Sequence, residues 1–87
     1  MHTSTSHDRR PDPADAIVTL LSRWLAGHLG NAELRREVEA LGTGGLDEEQ
    51  REAVEELVAE LDGAAPGERA RLQVPVRETI EALALGG

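Results

Sequence analysis

Residues 45–62 read GLDEEQREAVEELVAELD, with eight carboxylates and a single arginine, Arg51, set around a few aliphatics. Carboxylates at this density invite a general acid/base reading. That chemistry needs two carboxyl groups in a sheltered cleft, with their proton affinities driven apart. The spacing points elsewhere. Val54, Leu57, Val58 and Leu61 recur at helical intervals, and Glu48, Glu49, Glu52, Glu55, Glu56 and Glu60 fall on the opposite arc. The stretch therefore predicts an amphipathic helix with a solvated acidic face rather than a catalytic pair.

The other candidates for chemistry are sparse. His2 and His7 with Asp8 could hold a metal loosely, but no helical i, i+4 frame preorganises them. No HExxH pair, EF-hand loop, phosphate loop or glycine-rich dinucleotide fingerprint occurs. The GTGG run at 42–45 follows a predicted helix rather than a strand, which is the wrong context for a phosphate cradle. Serines stand only at positions 4, 6 and 22, so no nucleophilic triad is indicated. A small, acidic, helical chain also has the outline of an acyl-carrier protein. That role needs a serine at the start of a helix; Gly44-Gly45-Leu46-Asp47 offers none, and Ser22 falls in mid-helix. The expectation is a chain that is not an enzyme and takes neither cofactor nor metal.

The first apolar segment is more informative. Ile17, Leu20, Leu21, Trp24 and Leu25 recur at i, i+3, i+4, i+7 and i+8. Val18 and Leu29 widen the apolar arc to about half the helix circumference. Such a helix is either central to a bundle or shared with a partner. Trp24, the only aromatic residue, lies at the centre of that face. His28 projects onto the same face, which predicts a partly buried imidazole bonded to a nearby carbonyl. A pH-sensing or partner-facing histidine is the sharper alternative. Trp24, His28, Leu20 and Leu29 are thus the candidate partner-binding residues. Arg35 and Arg36, with Arg23, Arg9 and Arg10, could form a basic spot, although arginines so placed more often pair with glutamates nearby.

The elements that must position these residues can be read in order. Residues 1–11 carry no periodic apolar residues and predict a disordered tail. Asp12 and Pro13 supply a helix cap and a first helical residue, and Gly30 is the expected stop. Asn31 is the expected cap of a short second helix with a stripe of Leu34, Val38 and Leu41, closed by Gly42. Asp47 with Gln50 has the form of a capping box for the acidic third helix, which Gly63 ends. Pro66 could start a further helix that Pro75 would kink or divide. Val76, Ile80 and Leu83 place a last helix at about Pro75 to Leu85, while the alternation of Leu72, Val74 and Val76 admits a short extended piece. The fold class is all-α: a compact bundle of three to four short helices in one domain spanning 12–87.

The totals bound the function. The chain has 87 residues, enough for one small core. Its net charge of −8 argues against nucleic acid, whose binders carry a basic stripe, and favours a protein partner with a basic surface. It has no cysteine, so disulfides and thiolate metal sites are excluded. No apolar run is long enough for a membrane span and no signal-peptide core is present, which predicts a cytoplasmic protein. All nine basic residues are arginine, a coding bias of the GC-rich, actinobacterial kind that implies no function. The reading is a protein–protein interaction, adaptor or regulatory module. A homodimeric structural bundle and a small carrier or ligand-binding bundle are the alternatives.

Overall fold

Pro13 opens the first helix at a position where its missing N–H has no intrahelical acceptor to serve. The computed structural model describes residues 13–65 and 67–85, so the expected tail, the Asp12 cap and the helix start at Pro66 lie outside the described residues. Four helices follow in order: α1 (Pro13–Leu25), α2 (Asn31–Leu41), α3 (Glu48–Gly63) and α4 (Gln73–Leu85). No strand occurs among the described residues. The protein is an all-α bundle.

Each helix packs on two others, α1 on α2 and α4, and α3 on α2 and α4, so the four close into a ring around one core. The core is built from the periodic positions: Ile17, Leu21 and Trp24 from α1, Leu34 and Val38 from α2, Val54, Leu57 and Leu61 from α3, and Val76 and Leu83 from α4. Leu72, just before α4, is also fully buried. Leu20, Leu25, Val18 and Leu29 pack on the edge of this core as half-buried residues. The wide apolar arc of α1 is thus a buried centre with covered flanks. Leu41, expected on the α2 stripe, is 47% exposed, because it is the last helical residue and the chain turns away after it.

Helix ends depart from the sequence reading in instructive ways. α1 stops at Leu25, and Gly27, not Gly30, takes the positive φ of 86°. The His28 N–H reaches the Arg23 carbonyl at 2.9 Å and the Gly27 N–H reaches the Trp24 carbonyl at 3.0 Å. These two bonds make a Schellman motif, whose left-handed residue is where glycine costs least. Gly30 instead caps α2, and Asn31, expected as the cap, is the first residue inside the helix. The Glu33 side chain accepts the Gly30 N–H at 3.0 Å, the half of a capping box that needs no side chain on the cap. Gly42 ends α2 as expected. The full box at Asp47 and Gln50 forms: Asp47 Oδ1 accepts the Gln50 N–H at 2.8 Å, and Gln50 Oε1 accepts the Asp47 N–H at 3.1 Å.

α4 begins two residues earlier than expected, and Pro75 neither kinks nor divides it. Pro75 is the third helical residue, still within the first turn, where backbone N–H groups lack intrahelical acceptors in any helix. The extended alternative for Leu72, Val74 and Val76 does not form: turns lead directly into the helix, leaving Val74 61% exposed while Leu72 and Val76 are buried.

The start of α1 meets the α2–α3 loop very closely. A Cβ built on Gly45 would lie 2.5 Å from Pro13 Cγ, whereas one on Gly44 would meet open space. The proline ring cannot swing aside as a long side chain would, so the helix start itself must shift. Gly45→Ala is expected to destabilise the bundle by about 1–3 kcal/mol, the usual range for overpacking. Gly44→Ala should be near neutral. Urea denaturation followed by circular dichroism compares the two; equal midpoints would show that the contact relaxes freely.

Candidate functional site

The densest polar arrangement lies at the end of the bundle where α1 gives way to α2. Trp24 is 1% exposed, and its indole N–H donates to Asn31 Oδ1 at 2.8 Å across the turn. A buried indole needs such an acceptor, since an unpaired N–H in the core costs about 1–3 kcal/mol. Asn31, itself buried, turns its amide nitrogen toward the carbonyls of Ala65 at 3.3 Å and Glu68 at 3.5 Å. One side chain therefore joins the α1–α2 turn to the connection between α3 and α4.

That connection, described at residues 64–65 and 67–72, has turns and irregular backbone and no helix among the described residues. Glu68 fixes its shape by accepting the Ala65 N–H at 3.0 Å and pairing with Arg71 at 3.3 Å. Arg69 then reaches back over the α1–α2 turn. Its guanidinium donates to the Leu29 carbonyl at 2.9 Å and to the Trp24 carbonyl, and lies 4.3 Å from the centre of the indole ring. A planar fork suits this position better than an ammonium would. It serves the Trp24 carbonyl at the negative end of the α1 dipole and the Leu29 carbonyl of the following turn, while stacking on an aromatic face. Trp24, Asn31 and Arg69 form a clasp, and its chemistry is structural.

At the other end of the bundle Gln50 has a similar duty. Its amide nitrogen donates to the Leu83 carbonyl at 3.0 Å and ties the start of α3 to the end of α4. The buried Thr79 returns its hydroxyl to the Pro75 carbonyl at 2.7 Å, within α4.

The four candidate partner-binding residues separate by depth. Trp24 is closed to solvent, so no edge of its ring is open to a partner. Leu20 and Leu29 are half-buried, and His28 is exposed. The expected partial burial of His28 does not occur, because α1 ends before it and the Schellman turn carries it off the helical face. Of the arginines proposed for a basic spot, Arg35 pairs with Glu39 at 3.2 Å and with Asp62 of α3 at 3.8 Å. Arg23 and Arg36 are exposed, and Arg9 and Arg10 lie outside the described residues, as do His2, His7 and Asp8.

The glutamates singled out on α3, Glu48, Glu49, Glu52, Glu55, Glu56 and Glu60, are all exposed. Between α3 and α4 runs an open groove of about 470 Å³, lined in part by Glu56, Glu60 and Glu78. A smaller cleft of about 240 Å³, lined by Val38, Val54 and Val58 among others, lies between α2 and α3. Among the described residues no group of three or more acids and histidines is placed to hold a metal ion, and no helix is long and apolar enough to cross a membrane.

Asn31 and Arg69 were not legible as partners of Trp24. A usable signal did exist for Asn31: a lone tryptophan at a core position demands an acceptor, and Asn31 is a polar residue just across the turn. Arg69 left no such signal, since 45 residues separate it from Trp24. Comparison of the chain with protein-family models, with curated proteins and with solved structures gives no match.

Proposed function

We propose that this chain is a non-catalytic interaction module, an adaptor or regulatory part that binds a basic surface of another cytoplasmic protein. The observation that supports this reading is the division of labour among its side chains. The indole, the buried amides and Arg69 are engaged in holding helices together. What faces outward is helix surface dominated by carboxylate, above all along α3. Exposed charge of one sign attracts a partner of the opposite sign and speeds encounter. Of the candidate partner-binding residues, Leu20 on α1 and Leu29 in the following turn are half-buried and His28 is exposed, so these three reach the surface.

Affinity capture from the source organism tests the reading, with the tagged chain as bait at low ionic strength. A neutralised bait carrying Gln at Glu48, Glu49, Glu52, Glu56 and Glu60 serves as control. A protein enriched by the first bait over the second, and released by salt, is the expected result. No enrichment over the neutralised bait would remove the reading.

A second copy of the chain is the competing partner, favoured by one observation. Leu41 is 47% and Leu85 84% exposed, and each terminates a helix at the same end of the bundle. Sedimentation equilibrium decides between them. A monomer at all concentrations leaves the heterologous partner, whereas reversible dimerisation lost on Leu85→Ser would favour the homodimer.

A further inference from the structure

We infer that the α3–α4 groove seats an arginine- or lysine-bearing segment of a partner protein, an assignment that rests on the interaction reading above and gives it a place. The groove is lined by carboxylates from both helices, Glu56 and Glu60 of α3 and Glu78 of α4, together with the half-buried Ala53 and Pro75 and the buried Leu57 and Thr79. Its volume of about 470 Å³ leaves room for a long side chain to lie along it. The methylene stem of arginine or lysine packs on small apolar residues while its charged head stays with the carboxylates.

Two further observations select the occupant. Glu39, Glu55, Asp62 and Glu68 each pair with an arginine of this chain, whereas Glu56, Glu60 and Glu78 have no ion pair among the described residues. The nearest arginines in sequence, Arg51 on α3 and Arg77 on α4, project from the far sides of their helices at about 100° per residue. The groove is therefore acidic without an internal counter-charge among the described residues. Among the described residues, moreover, no acids converge closely enough to hold a metal ion. Carboxylates spread along a trough suit a long cation with an apolar stem, not a compact ion.

The test uses the full chain, labelled with nitrogen-15, titrated with a short end-blocked arginine–alanine peptide. The same peptide with citrulline for arginine is the uncharged control. Amide shifts should concentrate at residues 53–60 and 76–79, vanish with citrulline and weaken as salt is raised. Two triple variants lower the negative charge equally. Glu56→Gln with Glu60→Gln and Glu78→Gln should weaken the peptide about tenfold, from three partly screened contacts. Glu48→Gln with Glu49→Gln and Glu52→Gln should change it by about twofold or less. Circular dichroism confirms that both remain helical, as Gln and Glu have similar helix propensity. Equal weakening by the two variants, or shifts spread along the whole acidic face, overturns the groove. In the capture experiment, a groove variant that still retains the wild-type partner overturns the groove and leaves the interaction reading standing. A wild-type bait that captures nothing removes the reading first.

Discussion

Trp24→Ala is expected to leave the chain largely unfolded at room temperature. Truncating a buried tryptophan typically costs about 3–5 kcal/mol. A chain of 87 residues has roughly 4–13 kcal/mol in hand, taking about 0.05–0.15 kcal/mol per residue. The loss extends beyond ring volume, because Asn31 Oδ1 loses its donor and Arg69 the face it stacks on. Trp24→Phe separates these effects. It keeps much of the apolar bulk, leaves the amide oxygen without the indole, and should fall between wild type and alanine. In the wild type, tryptophan emission should be blue-shifted and poorly quenched by iodide. Far-ultraviolet circular dichroism across a urea series measures all three proteins. A fully helical Trp24→Ala protein with an unchanged midpoint would show that the ring is not the keystone described here.

Replacing Arg69 is the next largest change. Hydrogen bonds to charged groups contribute about 1.5–3 kcal/mol each and a cation–π contact about 0.5–2 kcal/mol, but contributions within one cluster do not add. Arg69 is half-buried, so solvent takes up part of the loss, and Arg69→Ala should cost about 2–4 kcal/mol. Arg69→Lys should recover a minor part, since one ammonium cannot serve the Trp24 and Leu29 carbonyls while lying flat on the indole. The urea midpoint should fall with little change in the dependence of stability on urea, the sign that the folded state alone has been weakened. An Arg69→Ala midpoint equal to wild type would mean that water replaces the guanidinium without loss.

Most of the helices were legible because apolar periodicity and caps are local. Val54, Leu57 and Leu61 announce α3 within a single stretch, and Asp47 with Gln50 marks its start. The misreadings occur where a local rule admits two solutions. Gly27 and Gly30 both could end α1, and the choice fell to whichever allowed the Schellman bonds to Arg23 and Trp24. That one shift moved His28 from the apolar face to the surface and Asn31 from cap to core. Pro75 could break a helix or sit in its first turn, and the buried Leu72 and Val76 select the second by anchoring the chain on either side. The clasp was out of reach, because Arg69 belongs to no periodic pattern and its partners come from the far end of α1.

The clasp also bears on the order in which the chain assembles. Adjacent helices joined by short turns make contacts that are close in sequence, and such contacts form quickly. The bonds from Arg69 to Leu29 and Trp24 close loops of 40 and 45 residues, so they stand at the slow, entropically costly end of the process. A bond made after the rate-limiting barrier does little to hasten arrival and much to delay departure. Stopped-flow kinetics of Arg69→Ala should accordingly show faster unfolding with a nearly unchanged refolding rate; a slowed refolding limb would place the arginine in the nucleus instead. Arg69 is in this sense a latch set last, governing the lifetime of the native bundle rather than its rate of formation.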